Sequence, residues 1–362
     1  MILAGDIGGT NTRLAVINAA QGKMEIIFET TFPSREQTSL ESAVDDFLSL
    51  GHWDITCASF GIAGPVVNGR CEATNLPWVV ESKNLAKRLR LKQVALLNDL
   101  SANAHGIALL EAKDFVVLNK GVRNAKGNRA IISAGTGLGE AGLYWDGQTY
   151  WPFQSEGGHA DFAPRNHLEI ELLNYLMNHF PRVSYERIIS GPGLANVYRF
   201  LRDTGKGDEP PWLTEEIHHG DPPKIISQHA LNGKSPLCGK ALELFVSLYG
   251  SEAGNLALKL MATGGIYLGG GIAPKIIQKL KDPVFMNGFT SKGRMKPLLQ
   301  DMPVRVIMNP KTALLGAARY AACIEGVVSA TELKKKSGHD RWICRYSETA
   351  SMELILRKSN VD

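Results

Sequence analysis

The hydrophobic pattern alternates between strand-like and helix-like stretches, and the order of these stretches occurs twice along the chain. In the first hundred residues, apolar runs predict strands at 2–7, 14–17, 23–30, 55–62 and 94–97. Apolar residues at helical spacing predict an amphipathic helix over 39–50, and shorter helices are expected over 85–91 and 101–110. Three strands, a helix, a strand and a helix together predict one α/β half.

The second half is expected to repeat this order with insertions. It begins near residue 115 and contains a hairpin over 131–144, a helix over 167–178, a long helical region over 236–263 and a strand over 304–308. A helix of small residues over 313–323 is expected to return to the first half. The pattern therefore predicts a small α/β lobe of residues 1–109 and 310–325, a large α/β lobe of 110–309, and a C-terminal extension over 326–362 of unknown role.

The tip of the first hairpin has the composition of a phosphate-binding turn. Gly8 and Gly9 allow dihedrals that other residues avoid, and the backbone N–H groups of such a turn can point together at a phosphate. Thr10 and Asn11 add side-chain donors. Asp6, at the end of the strand, is placed to hold Mg²⁺ through water, because this ion usually keeps several waters. An ordinary tight hairpin is the alternative.

Two further glycine-rich turns support the phosphate interpretation. The second hairpin carries Thr136 and Gly137; a strand rather than a helix follows it, and no Gly-Lys-Ser/Thr occurs, so it is neither a dinucleotide fingerprint nor a Walker loop. Gly269, Gly270 and Gly271 follow an apolar run and open a helix, where glycines would let the backbone approach an adenine or ribose. Two phosphate-type hairpins suggest duplicated halves that face one nucleotide.

The motifs resemble those of the actin-like ATPase superfamily of sugar kinases, and within it the bacterial glucokinase family. The matching segments are DIGGTN at 6–11, LND at 97–99, GTGLG at 135–139, EGGH at 156–159, ERIISGPG at 186–193 and LGGGI at 268–272. The resemblance covers residues 2–325 in order. Zinc-binding relatives carry a cysteine-rich segment after EGGH, whereas ADFAP follows here at 160–164, which indicates the zinc-free group.

The resemblance implies a fold, an activity and a set of ligands. The fold is α/β, with two lobes built on a duplicated, ribonuclease H-like βββαβα core and a cleft between them. The activity is ATP-dependent phosphorylation of glucose at its 6-hydroxyl, feeding glycolysis, with Mg²⁺ accompanying ATP in a homodimeric enzyme. A kinase for another hexose or an amino sugar remains the alternative, because carboxylates that bind hydroxyls do not single out one epimer.

Composition restricts the class of protein. A hydrophobic fraction of 44% and a charged fraction of 21% are those of ordinary globular proteins, and a net charge of +4 favours neither nucleic acid nor a membrane surface. No apolar run reaches the ~20 residues of a membrane-spanning helix, and the start does not resemble a signal peptide. Five widely spaced cysteines without a C-x-x-C favour reduced thiols, so we expect a cytoplasmic protein.

Asp99 is the candidate general base. A primary hydroxyl is a poor nucleophile, and a carboxylate within hydrogen-bond reach can orient it and accept its proton. Asp99 follows a strand, at the sheet edge where α/β proteins usually bind ligands. The alternative is that Asp99 caps the helix that follows, since Asp is a preferred N-cap residue. Its neighbour Asn98 is expected to contact a sugar hydroxyl.

Four other residues are candidates for binding the sugar. Glu156 and His159 are separated by two glycines, which remove side chains that would block a sugar, and one carboxylate can accept from two adjacent hydroxyls. Glu186 is expected to act with His159, although a surface charge is the alternative for Glu186. Asn75 is expected at the mouth of the sugar site.

Two non-kinase classes occur in the same superfamily. A repressor is disfavoured, because the first strand is expected from residue 2, ahead of which no helix-turn-helix fits. A chaperone or filament ATPase has no reason to keep the sugar-binding cluster.

Overall fold

The computed structural model describes residues 1–20 and 23–324 and forms two compact units. Unit 1 comprises Met1–His105 and the described residues from Leu314 onward, and unit 2 comprises Gly106–Ala313. The predicted C-terminal extension over 326–362 lies outside the described residues. In the described part, no helix is both long enough and apolar enough to cross a membrane.

Unit 1 contains a five-stranded sheet in the order β3-β2-β1-β4-β8. Strand β1 pairs antiparallel with β2 and parallel with β4, which in turn pairs parallel with β8. A separate three-stranded antiparallel sheet is formed by β5, β6 and β7. The strands are β1 (Ile2–Ile7), β2 (Asn11–Ala20), β3 (Lys23–Pro33), β4 (Cys57–Ile62), β5 (Val66–Val67), β6 (Arg70–Glu72), β7 (Val79–Glu81) and β8 (Ala95–Asn98).

The first helices of unit 1 are α1 (Leu40–Ser49), α2 (Ser82–Leu89) and α3 (Asp99–Gly106). Helix α1 begins where sequence predicts it, because the Ser39 side chain accepts from the Ser42 N–H and caps the helix. Its buried face includes Phe47, whose ring packs on Phe28 and Trp53. Helix α3 starts two residues before the predicted position, and its last predicted turn is the 3₁₀ helix Ile107–Leu109.

Unit 2 repeats the sheet of unit 1. Its six-stranded sheet has the order β12-β11-β10-β13-β14-β9, in which β10 pairs antiparallel with β11 and parallel with β13. The strands are β9 (Phe115–Asn119), β10 (Arg129–Ala134), β11 (Leu138–Trp145), β12 (Tyr150–Ser155), β13 (Gly265–Gly269) and β14 (Val304–Ile307). The first five strands of this order match the unit 1 sheet in order and direction, as the predicted duplication requires.

Helices cover the unit 2 sheet and supply most of its core. The long helix α8, predicted over 236–263, runs over Pro236–Leu260 and is buried along most of its length. The helices are α4 (His167–Met177), α5 (Gly191–Asp203), α6 (Pro211–His219), α7 (Pro222–Leu231), α8, α9 (Ile272–Lys275), α10 (Ile277–Leu280), α11 (Pro283–Thr290) and α12 (Lys296–Gln300).

The last described helix, α13 (Thr312–Ile324), packs on the unit 1 sheet. Its Leu314 and a set of alanines bury against Ile2, Ala4 and Ile17. Since α1 and its neighbours cover the other face, strands β1 and β4 are buried on both sides. This explains why the sequence of β4 is a continuous apolar run instead of an alternating one.

The contact between α8 and α11 depends on a glycine. A Cβ atom at Gly250 would lie 2.1 Å from the carbonyl oxygen of Phe285, which belongs to the backbone of α11 and cannot rotate away. We expect Gly250→Ala to lower the free energy of unfolding by about 1–3 kcal/mol, the usual cost of overpacking. Denaturant unfolding of the full chain measures it.

Gly239, in the same helix, provides the matched control. A Cβ there would meet nothing within 4 Å, so Gly239→Ala should gain up to ~1 kcal/mol from helix propensity. Equal effects of the two substitutions would contradict the packing argument.

Candidate functional site

The turn between β1 and β2 is fixed by a serine that sequence reasoning did not find. Ser34, just after β3, donates its hydroxyl to the Gly8 carbonyl at 2.7 Å, and its backbone N–H donates to the Thr10 carbonyl. The Ser34 hydroxyl also lies 2.9 Å from that of Thr12. These bonds hold the turn while Thr10 and Asn11 remain exposed to a ligand.

Asp6 lies at the end of β1, half-buried and opposite Arg13 on β2. Burial raises the pKa of Asp6, and the positive charge of Arg13 acts in the opposite direction. A cation would offset the same cost of burying the carboxylate. One carboxylate with water as the remaining ligands is a donor set that suits Mg²⁺.

Gly9 brings the Asn75 loop to the same turn. A Cβ atom at Gly9 would lie 2.6 Å from the Cβ of Asn75, so the two backbones approach as closely as a glycine permits. Asn75 is exposed. Within unit 1, the predicted nucleotide turn and this predicted sugar residue are therefore neighbours.

Asn98, and not Asp99, caps helix α3. Its Oδ1 accepts from the backbone N–H groups of Leu100 at 2.9 Å and Ser101 at 3.4 Å, and its Nδ2 donates to the Gly64 carbonyl at 3.1 Å. Asp99 is the first residue of α3 and is half-buried, and its Oδ1 also accepts from the Leu100 N–H at 2.9 Å. Asn98 precedes the helix and accepts from two of its N–H groups, so Asn98 takes the N-cap position that sequence offered as the alternative for Asp99.

Cys71, which no sequence motif singles out, lies close to this segment. Its Sγ would lie 3.1 Å from a Cβ at Gly64, the residue whose carbonyl Asn98 binds. Burial raises the pKa of the Cys71 thiol to about 11, and the negative charges of Asp99 and Glu72 add to the effect. The thiol therefore stays protonated beside the Asp99 carboxylate at neutral pH.

The second hairpin of unit 2 is tied to Glu186. The Glu186 carboxylate accepts from the Leu138 N–H at 2.9 Å, and a Cβ at Gly137 would lie 2.5 Å from the same oxygen. Thr136, at the tip of the hairpin, is exposed. Glu186, predicted to bind sugar, thus lies against the predicted phosphate turn, a contact that sequence reasoning did not anticipate.

Glu156 and His159 lie together at the end of β12. Glu156 precedes the 3₁₀ helix Gly157–His159, and its Oε2 is 4.0 Å from the His159 Nε2. Both side chains are more than half exposed. The Arg182 side chain donates to the His159 carbonyl and to Asp161, which fixes the backbone of the turn and leaves the imidazole out of these bonds.

The turn that carries Glu186 is adjacent to the Glu156 turn. Glu186 belongs to the 3₁₀ helix Tyr185–Arg187, whose first N–H donates to the Ala160 carbonyl at 3.0 Å. The Phe162 N–H donates to the Val183 carbonyl, also at 3.0 Å. The structure therefore brings the three unit 2 sugar candidates onto neighbouring backbone segments.

Gly269 is the last residue of β13, and this residue and Gly270 pack against β10. Gly270 has φ +78°, and a Cβ there would lie 2.3 Å from the Ala134 carbonyl oxygen, so only glycine fits. A Cβ at Gly269 would lie 2.3 Å from the Ser133 Oγ, whereas one at Gly271 would meet nothing within 4 Å. The turn thus presents an open backbone surface next to the second hairpin.

The chain matches known proteins over most of its length. A family model described as "Glucokinase" matches residues 3–323. A glucokinase from Trichormus variabilis is 41% identical over 340 residues, covering 89% of this chain and 99% of that protein. A glucokinase from a Synechocystis strain is 42% identical over 345 residues, covering 88% and 97% respectively.

Solved structures show the same similarity. A glucokinase from an Antarctic psychrotroph superposes with a TM-score of 0.76 at 33% identity and covers 88% of this chain and 97% of its own. A ROK family glucokinase from Streptomyces griseus, solved with glucose and AMPPNP, gives a TM-score of 0.61 at 21% identity and covers 88% and 98%. The second of these supports the fold alone.

The cap at Asn98 can be tested by stability. We expect Asn98→Ala to lower the free energy of unfolding by about 0.5–2 kcal/mol, because the Ser101 N–H loses its acceptor and the Leu100 N–H keeps only Asp99. Asn98→Ser is the matched control, since serine is also a good cap and should recover most of the loss. Thermal unfolding of the full chain measures both, and equal destabilisation would place the cap elsewhere.

Proposed function

The chain belongs to the glucokinase family, and from that premise we propose which of its residues carry the reaction. It is a hexose kinase that transfers a phosphoryl group from ATP to glucose, giving glucose 6-phosphate. The observation that carries the assignment of residues is that Asn98 occupies the N-cap position of α3, so Asp99 is not needed there, although its Oδ1 also accepts from the Leu100 N–H.

We assign the general base to Asp99. Its carboxylate would accept the proton of the glucose 6-hydroxyl as that oxygen bonds to phosphorus, while the bond between phosphorus and the β-phosphate oxygen breaks and ADP leaves. The Asp99 carboxylate then holds the proton, and it returns to its charged form by releasing the proton to solvent. The protonated Cys71 thiol adds no second negative charge beside Asp99 at neutral pH.

Glucose binding is assigned to polar groups of both units. Glu156 and His159 are exposed, close to each other and held by their backbone, so their side chains are available to hydroxyl groups. Glu186 lies on the neighbouring turn, and its two oxygens allow it to accept from a hydroxyl in addition to the Leu138 N–H. Asn75 and Asn98 are the proposed contributors from unit 1.

ATP is the phosphoryl donor, and we propose that glycine turns bind it. The tips of the two hairpins carry exposed side chains that can bind phosphate oxygens. The open backbone surface at Gly271 can lie against adenine or ribose. When bound, Mg²⁺ would neutralise phosphate charge, and Asp6 would hold it through water. The assigned residues are Asp6, Gly8, Gly9, Thr10, Asn11, Thr136, Gly137, Gly269, Gly270 and Gly271.

We infer, from the family resemblance, that the protein acts as a homodimer in the cytoplasm. The roles proposed for individual residues do not depend on the oligomeric state or on the location of the protein.

Replacing the proposed base separates catalysis from binding. Asp99→Asn keeps the volume and a hydrogen-bonding oxygen but cannot accept the proton. We expect kcat to fall by about 10²- to 10⁴-fold, the usual contribution of a positioned base. Glucose affinity, followed by tryptophan fluorescence, should change far less. A near-normal kcat would remove Asp99 from the catalytic step, and complete loss of glucose binding would make Asp99 mainly a binding residue.

Replacing Glu156 should affect one substrate only. Glu156→Gln keeps the shape but removes charge-assisted hydrogen bonds worth roughly 1.5–3 kcal/mol each. We expect a rise in the glucose KM of about tenfold or more, with a small change in the KM for ATP. Glu171→Gln, which removes an exposed carboxylate on α4 that is paired with Lys206, is the control and should change neither. Equal weakening of both substrates by Glu156→Gln would contradict the assignment.

A further inference from the structure

A buried glutamate lies directly beneath the Glu156 turn. Glu140 is on β11, opposite Ser155 of β12, and is only 1% exposed. A Cβ atom at Gly157 would lie 2.0 Å from its Oε2, so the carboxyl group occupies the place of a side chain at Gly157. The Gly157 N–H in turn donates to the Ser155 hydroxyl at 3.0 Å. The Glu140 carboxyl therefore packs directly against the backbone between Glu156 and His159.

A second buried glutamate, Glu252, lies within hydrogen-bonding reach of the Glu140 carboxyl. Glu252 on α8 is 0% exposed, and its Oε2 accepts from the Asn255 side chain at 2.7 Å. Lys259 approaches its Oε1 to 3.5 Å. The Glu140 Oε1 has no hydrogen-bond donor among the described residues, and the Glu252 Oε1 has the Lys259 ammonium beside it. Two buried carboxyls that interact in this way are most stable when they share one proton. The pair then carries one negative charge, which the positive charge of Lys259 balances.

The same group of side chains reaches the Glu186 turn. Asn255 donates to the hydroxyl of Tyr185 at 2.9 Å as well as to Glu252, and Tyr185 directly precedes Glu186. Tyr185 is 2% exposed. The buried side chains of Glu140, Glu252 and Tyr185 and the half-buried Asn255 therefore support both turns that carry the unit 2 sugar candidates.

We propose that Glu140 is a positioning residue for glucose, which acts by sharing a proton with Glu252 beneath the Gly157–His159 turn. The inference rests on the proposed sugar-binding roles of Glu156, His159 and Glu186. With the proton present, the two carboxyls are joined and the turn is held. Without it, two adjacent negative charges repel in a site that water does not reach, and the turn moves with Glu140.

Burial and the charges around Glu140 and Glu252 set the pH range in which the pair loses its shared proton. Burial raises the pKa of Glu140 to about 8; the negative charge of Glu252 adds to this, and Lys259 opposes it. The pair therefore holds its proton at neutral pH and loses it in alkaline solution. Burial also raises the pKa of Glu252 and that of the Tyr249 hydroxyl on α8, the latter with a contribution from Glu140.

Lys292 titrates in the same range and must be separated from the pair. It donates to the Asn255 Oδ1 at 2.5 Å and to the Ser251 carbonyl at 3.0 Å. Burial and the positive charge of Arg165 lower the pKa of Lys292 to about 8, while Glu252 and Glu169 oppose this. Its loss of charge could also disturb Asn255, so the test includes a variant that keeps this charge.

Steady-state kinetics of the full chain from pH 6 to pH 9 test the proposal. In the unsubstituted protein we expect the glucose KM at pH 9 to be about tenfold that at pH 7, since the protonated fraction falls by this factor for a pKa of about 8, whereas the KM for ATP changes little. In Glu140→Gln the side chain stays neutral and can donate to Glu252, so the rise should disappear. Glu243→Gln, an exposed position on α8, should keep it.

The outcomes separate the alternatives. Absence of the rise in the unsubstituted protein, or its persistence in Glu140→Gln, overturns the proposal. A rise that disappears in Lys292→Arg but not in Glu140→Gln assigns the effect to Lys292 and also overturns it. If Glu156→Gln leaves the glucose KM unchanged, the proposed function of the turn fails, whatever the behaviour of Glu140.

Thermal stability gives a readout that does not depend on activity. The folded protein holds a proton on Glu140 that the unfolded chain releases near its ordinary pKa of about 4.3, so the stability of the unsubstituted protein falls from there to about pH 8. The Tm of Glu140→Gln should therefore rise relative to the unsubstituted protein between pH 5 and pH 8. A constant difference would show that no shared proton is present.

Discussion

Close contacts at glycines are the constraint on which the proposed ligand-binding turns depend. In unit 1, Gly9 lies against Asn75; in unit 2, Gly158 would place a Cβ 2.0 Å from the Leu138 carbonyl oxygen and Gly270 would place one 2.3 Å from that of Ala134. A side chain at any of these glycines would clash with the neighbouring segment and displace the turn. The functional groups lie on turns, and close packing against neighbouring segments fixes the position of these turns.

In the Asn98–Asp99 pair, the structural role of capping α3 and the proposed chemical role of general base fall on different residues. Both residues are good helix caps, and both lie at the point where β8 ends and α3 begins. Because the Asn98 amide binds the first N–H groups of α3 and the Gly64 carbonyl, the backbone at Asp99 is fixed on both sides. A proposed base benefits from this arrangement, since catalysis depends on holding the carboxylate at a set position.

The buried carboxyls of unit 2 have a different physical origin. Charged groups removed from water are destabilising unless they are paired, and the cation that approaches these two carboxyls, Lys259, lies 3.5 Å from Glu252. A retained proton is the remaining way to satisfy them. The Glu156 turn packs on that pair, so loss of the shared proton would reach the proposed sugar site through the backbone of the turn.

The sequence by itself determined the order of the elements, the duplicated α/β fold and the family, because these depend on local periodicity and on short contiguous motifs. The strand and helix predictions hold to within a few residues, and α3 differs because Asn98 caps it earlier than expected. Only the tertiary structure decided that Glu186 binds the second hairpin and that Glu140 occupies the space beside Gly157. These contacts join segments distant in the chain and depend on strand register and side-chain packing, which no local pattern encodes.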